Sequence, residues 1–216
     1  MRDLIQQEKF ELEVLDRLNS KKLLNSLIFG GGTMLRLCFG LNRYSVDLDF
    51  WFAAKTDEKK LFKDIKEYFS DLYSVRDAAN KHYTLLYELK SRDYPRSLKI
   101  EIRKEVKHVK TEKAIAYSKN SNIQVMLNVV SLDEMMKAKT EAFLDRKEVR
   151  DIFDIEFLLK KGIELKAGEN DKNRMLKIMN SLTKRDYEEK LGSLLEAQDR
   201  EYYRKENFKI LKFALS

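Results

Sequence analysis

Gly30-Gly31-Gly32-Thr33, followed by Arg43-Tyr44-Ser45-Val46-Asp47-Leu48-Asp49-Phe50, is the stretch on which the reading of this 216-residue chain turns. The residues before it, LLNSLIF over 23–29, read as a short buried strand ended by the three glycines. Residues 33–39 then read as a helix closed by Gly40, and 46–52 as a second strand. Thirteen residues separate Thr33 from Asp47. Residues i and i+2 of a strand point to one face, so Asp47 and Asp49 project together while Val46, Leu48 and Phe50 face the core. Two carboxylates side by side repel, and burying them is unfavourable unless a cation neutralises them. A hard divalent ion, Mg²⁺ or Mn²⁺, binds through one or two carboxylates plus substrate phosphates, which suits such a pair. The glycines ahead of the helix let backbone N–H groups approach an anion at the helix N-terminus, where the dipole adds to the attraction.

Working outward, residues 3–19 carry apolar positions at helical spacing and read as an amphipathic helix, as do 57–69. Strand-like runs follow at 71–77, 82–90 and 97–106, and again at 123–130. In the third of these, Leu98-Lys99-Ile100-Glu101-Ile102, the isoleucines face one way and Glu101 the other. On a strand beside the aspartates, Glu101 would complete a three-carboxylate, two-metal site, one ion activating the attacking hydroxyl and the other stabilising the leaving phosphate. From Ser131 onward the strand signals stop. Residues 131–145, 149–160 and 172–182 read as helices, the first opened by a capping box, Ser131-Leu132-Asp133-Glu134. The expected architecture is α+β: an α/β domain over 1–130 and a helical domain over 131–216.

Composition narrows the function classes. Apolar residues make up 43% and charged residues 37%, which describes a globular chain with a charged surface. No apolar run approaches the roughly 20 residues that span a bilayer, and Met1-Arg2-Asp3 opens no apolar leader. Cys38 stands alone, so no internal disulfide is expected and a reducing, cytoplasmic setting fits. One cysteine and two separated histidines, His82 and His108, give no zinc cluster and no Ser/His or Cys/His triad. The net charge is +7, and the 90–119 stretch carries ten Lys/Arg against four Asp/Glu, interleaved with Tyr94, His108 and Tyr117. Such a stretch attracts phosphates, on nucleotide or on nucleic acid.

Gly31-Gly32-Thr33 with Arg43 to Phe50 resembles the nucleotidyltransferase signature carried by the AbiEii-type toxin family of abortive-infection and toxin–antitoxin systems. A second stretch, Lys139-Thr140-Glu141-Ala142-Phe143-Leu144-Asp145-Arg146 with Arg150-Asp151-Ile152-Phe153-Asp154-Ile155, is similar to that family's helical motif. The resemblance implies a polymerase-β-like domain with a mixed sheet and a helical domain that completes the active site. It implies metals on Asp47 and Asp49, with Glu101 as third acid where the family has Asp. By the same resemblance Gly31, Gly32, Thr33 and Ser45 would contact the phosphates of an NTP, with Lys139, Asp151 and Asp154 added from the helical part. The chemistry implied is Mg²⁺-dependent transfer of NMP to an acceptor hydroxyl. RNA or tRNA is the expected acceptor, given the basic stretch, and a cognate antitoxin protein the implied partner. Two rival readings share the fold: a small-molecule nucleotidyltransferase of the antibiotic-modifying kind, and a non-catalytic scaffold that binds RNA or protein. On residues alone, Arg150 and Asp154 would make an ordinary i,i+4 ion pair and Lys139 would be solvated.

Overall fold

A computed structural model describes residues 1–106 and 108–216; Lys107, one cation of the basic stretch, lies outside the described residues. The chain divides into two compact units, Met1–Gly40 with Tyr44–Val130, and Leu41–Arg43 with Ser131–Ser216.

The first unit opens with α1 (Arg2–Ser20), whose Leu4, Phe10, Leu12, Val14, Leu15 and Leu18 are all buried. Then come β1 (Leu27–Gly30), α2 (Gly31–Phe39), β2 (Asp47–Phe52) and α3 (Glu58–Leu72), followed by β3 (Ser74–Asn80), β4 (Thr84–Lys90), β5 (Leu98–Val106), β6 (Thr111–Tyr117) and β7 (Gln124–Val130). The seven strands form one mixed sheet in the order β3-β4-β5-β2-β1-β7-β6. β2 runs parallel to β5 and β1 parallel to β7, while the remaining pairs are antiparallel.

Residues paired across neighbouring strands share a face, so the registers sort the sheet into two sides. One side carries the rows Leu48–Ile100–Tyr87 and Phe50–Ile102–Leu85, each residue 1% exposed or less. Against it lie the helices. Phe62 and Phe69 of α3 meet the Tyr87 ring, Phe10 of α1 stacks on Tyr94, and α2 packs along β2 and β6. The other side carries Asp47, Asp49 and Trp51 on β2, Lys99, Glu101 and Arg103 on β5, and Lys113, Ile115 and Tyr117 on β6. Within this unit α1, α2 and α3 pack on the apolar side, and the polar residues of β2 and β5 lie on the other.

The second unit comprises α4 (Leu132–Arg146), α5 (Val149–Lys160), α6 (Glu169–Ser181), a π-helical turn (Asp186–Leu191), α7 (Ala197–Glu206) and α8 (Lys209–Leu215). α5 is buried from Val149 to Leu158 and packs on α4, α8 and the π turn. Arg43, from the 41–43 excursion, bridges to Leu195.

Three local expectations are corrected. Residues 23–29 are not one strand: Leu23–Ser26 is a 3₁₀ turn, held by the Ser26 hydroxyl donating to the Leu23 carbonyl at 3.2 Å. A strand from 71 starts at Ser74 instead, because α3, capped by Asp57 accepting from the Lys60 N–H, runs through to Leu72. The capping box at 131–134 does not form. Ser131 is the N-cap residue but its hydroxyl makes no capping bond, and Glu134 accepts from Lys137 at 2.8 Å.

Candidate active site

The site grows from the point where β1 turns into α2. Gly30 is paired with Asp49 across the antiparallel β1–β2 ladder. Gly31 follows with φ +77°, a conformation in which a Cβ is strained, and a Cβ there would collide with the Asp49 carboxylate. At Gly30 the obstruction would be the Trp51 ring. Glycine is thus the residue that lets the start of α2 lie directly against Asp49.

Asp47 and Asp49 are both half-buried and share the side of the sheet opposite Leu48 and Phe50. The parallel β2–β5 register sets Asp47 beside Lys99 and Asp49 beside Glu101, so the third acid is the immediate lateral neighbour of the second aspartate. Neighbouring strands are about 4.8 Å apart. The donor set is therefore hard carboxylate oxygen from adjacent strands, the chemistry that suits a hard divalent cation. Among the described residues no three Asp, Glu, His or Cys side chains converge closely enough to form a ready ligand cluster.

Thr33 has a different place from the one its motif implies. It is fully buried, and its hydroxyl donates to the main-chain carbonyl of Asp47 at 2.6 Å. It therefore braces the strand that carries the carboxylates. Gly32 is also buried, and Gly31 and Ser45 are half-buried, so Gly31 and Ser45 are the accessible members of the expected phosphate group.

Beneath β2, α1 contributes polar residues that sequence reasoning did not single out. Gln7 Nε2 donates to the carbonyls of Val46 and Ser97, both at 3.3 Å. Glu8 accepts from Arg36, Ser118 and Asn120, and the Arg36 guanidinium lies 3.7 Å from the centre of the Tyr44 ring. Glu11 is wholly buried, and among the described residues neither of its carboxyl oxygens has a hydrogen-bond partner. Burial first, then Glu8, raises its pKa well above the ordinary carboxylate value, with Asp47 adding to the rise and Arg36 opposing it. The signal was present in the spacing: Leu4, Gln7, Glu8, Glu11, Leu15 and Leu18 form one i, i+3/i+4 stripe, so these polar residues lie on the apolar face.

In the second unit, Lys139, Asp151 and Asp154 do come together. Arg43 clamps Asp154 through two bonds of 2.7 Å, and the Lys139 ammonium lies 2.6 Å from Asp154 and 3.5 Å from Asp151. Arg146 holds Asp151 with bonds of 2.6 and 2.7 Å. Both aspartates are fully buried and Lys139 is 7% exposed, so Lys139 is not a solvated surface charge. The expected Arg150–Asp154 pair is replaced by the Arg43 clamp, and Arg150 is exposed. Burial works to raise the Asp154 pKa, but the charges of Arg43 and Lys139 and their hydrogen bonds prevail and hold it below the ordinary value. Arg43 was quoted in the first motif without a role; bidentate geometry is what its planar fork provides.

A mixed sheet with α1, α2 and α3 on one side and the Asp-x-Asp carboxylates on the other, with glycines opening α2 next to the second aspartate, is consistent with a polymerase-β-like fold. The chain belongs to the nucleotidyl transferase AbiEii toxin family of type IV toxin–antitoxin systems, which it matches over residues 13–209. No curated protein matches the sequence. Among solved structures, JHP933 from Helicobacter pylori is similar at 21% identity, with 95% of this chain and 92% of that chain covered and a TM-score of 0.57. A second H. pylori structure, provisionally described as a nucleotidyltransferase, is 20% identical over 95% of each chain, also with a TM-score of 0.57. No helix among the described residues is long and apolar enough to cross a membrane.

Proposed function

We propose that this nucleotidyl transferase moves the NMP group of an NTP to a hydroxyl on RNA, with tRNA the leading candidate, as the toxin of a toxin–antitoxin pair in the cytoplasm. The observation that carries the reading is the alignment of Asp47, Asp49 and Glu101 on one side of the sheet, with Gly31 opening α2 directly against Asp49. Asp47 and Asp49, with Glu101 beside them, would hold Mg²⁺ or Mn²⁺. When bound, the ions supply charge neutralisation at the phosphates and lower the pKa of the attacking hydroxyl.

The chain's own residues supply the rest. The N-terminal N–H groups of α2 and the Ser45 hydroxyl orient the triphosphate, Gly31 allowing the close approach. The acceptor oxygen forms a bond to the α-phosphorus, its proton passing to Glu101. The bond from that phosphorus to the bridging oxygen breaks, and pyrophosphate leaves. Catalysis in such a site is mainly positioning and charge stabilisation. By the family motif, Lys139 and Asp154 of the helical unit would bind the nucleotide, and Lys139 and Asp151 would take catalytic roles. A cognate antitoxin is the partner that the family implies.

The test is transfer of label from each α-³²P-labelled NTP, with Mg²⁺, to total RNA and total protein of a bacterial lysate. Wild type is compared with Asp47→Ala. Label on RNA that vanishes in Asp47→Ala is the expected result. Label confined to protein would replace the acceptor, and full activity of Asp47→Ala would remove Asp47 from the metal site.

A further inference from the structure

The hairpin formed by β6 and β7 presents an unusual surface for a sheet edge. Among the described residues β6 ends the strand order and pairs with β7 alone. Its inward alternation is ordinary: Ala116 pairs with Val125 and Ala114 with Leu127, and Ala116, Val125 and Leu127 are buried. The other side pairs Ile115 with Met126, Tyr117 with Gln124 and Lys113 with Asn128. There Tyr117 is 57% exposed, Ile115 44% and Met126 60%. Edge strands are usually blunted with charge, and three large apolar side chains gathered in water point to something that covers them.

The registers place this patch on the same side of the sheet as the aspartates. Asp49 pairs with Gly30 on β1; β1 and β7 are joined at Phe29 and Val129; and β7 pairs with β6 from Val130 and Thr111 onward. Three strand spacings across and four residues along β6 put Ile115 roughly 20 Å from Asp49, with no change of face.

Charge decides between occupants. Lys113 shares the face with the apolar trio, and Lys110 and Lys119 flank it at the two ends of β6, all three exposed. Glu112, the one acid between residues 110 and 124, alternates to the opposite face. An exposed aromatic ring, flat aliphatic neighbours, amide side chains (Gln124 and Asn128) and lysines without a competing acid are the elements that hold single-stranded nucleic acid. Bases stack on the ring, lysines meet phosphates, and amides reach base edges.

We propose that the β6–β7 face binds the single-stranded end of the acceptor RNA, with a base stacked on Tyr117 across Ile115 and Met126 and a backbone phosphate on Lys113. From there the strand runs over the sheet to present its terminal hydroxyl at Asp49. This rests on the RNA-acceptor reading and adds the surface that selects the acceptor. Tyr117 is a binding residue here, remote from the reacting atoms.

The experiment measures KM for total RNA in the labelling assay, together with fluorescence anisotropy of a fluorescein-tagged single-stranded RNA oligomer. Wild type is compared with Tyr117→Ala, Tyr117→Phe, Lys113→Glu and Met126→Glu; NTP affinity and the thermal transition are controls. Tyr117→Ala should weaken RNA by about five- to fifty-fold, and Tyr117→Phe by far less. Lys113→Glu should lower the slope of log affinity against log salt by about one or more. NTP affinity and melting should stay as in wild type, since these side chains are exposed. Wild-type RNA labelling with unchanged KM in Tyr117→Ala and Met126→Glu overturns the surface and leaves the transferase reading standing. Label that goes to protein, and is lost in Tyr117→Ala, overturns the RNA assignment in favour of a docked protein. No label on RNA from wild type removes the acceptor reading, and this surface with it.

Discussion

Thr33 donates its hydroxyl to the Asp47 carbonyl at 2.6 Å from a fully buried position, fixing the first residue of β2 to the first turn of α2. The residue that carries the first carboxylate of β2 is therefore held through its own main chain. A misplacement of about 1 Å in such a site lowers turnover by on the order of a hundredfold. Thr33→Val keeps the shape and removes the donor, leaving the Asp47 carbonyl without this partner at a cost of about 1–2 kcal/mol. The expected outcome is a ten- to hundredfold loss in kcat with the KM for NTP within about twofold of wild type. Thr33→Ser should restore most of the rate. A rise in KM with kcat intact would return Thr33 to the phosphate-binding role that the motif implied. Glycine-glycine-threonine was legible as a motif, but which way the hydroxyl turned was not. That depended on α2 packing close enough to β2 to bury it.

At the scale of elements, the clearest legibility lay in periodicity. α1, α3, α4 and α5, and the strands β2, β4, β5 and β7, all follow alternations or stripes that the sequence displays. β6 was hidden because its exposed side carries Lys113 and Tyr117, so the 90–119 stretch read as basic surface instead of a strand. The charge network around α5 was half-visible. Asp151 and Asp154 stood out, while Arg43, the partner of Asp154, lies 111 residues from it along the chain, a contact that no local spacing shows. Removing one member of a buried ion pair is strongly destabilising, by about 3–5 kcal/mol, because the other charge is left in a poor solvent. Arg43→Met should fall toward the lower end, about 3 kcal/mol, since Lys139 still reaches Asp154 at 2.6 Å. The pH dependence follows from Asp154, whose pKa is held below its ordinary value in the folded chain. A lowered folded pKa adds stability that is present above the unfolded value of about 3.9 and is lost as pH falls through the folded one. The gap between wild type and Arg43→Met, measured by urea unfolding, should be widest near neutral pH and narrow below about pH 4. A gap that stays constant with pH would mean that Arg43 acts by packing alone.

At the scale of the whole molecule, the boundary at 130/131 that composition marks is crossed by one small excursion. Leu41, Asn42 and Arg43 leave the first unit between α2 and β2 and are counted with the second, where Leu41 is 1% exposed and Arg43 3%. The excursion is invisible to composition, because three residues carry no periodicity, yet it supplies the second unit with the guanidinium that Asp154 requires. The two units are thus not separable by a single cut. A fragment of residues 131–216 keeps α4 to α8 but loses Arg43, so Asp154 keeps its ion pair with Lys139 without the Arg43 clamp, and the Leu195 bridge loses its partner. Such a fragment should keep helical far-UV signal while losing near-UV structure and cooperative melting, the signs of a compact state without fixed packing. Asp154→Asn in the same fragment removes the under-paired charge and should recover part of the cooperativity, because a neutral amide in that place does not need a second cation. Cooperative melting of the unaltered 131–216 fragment at the temperature of the intact chain would show that Arg43 is dispensable to the helical core.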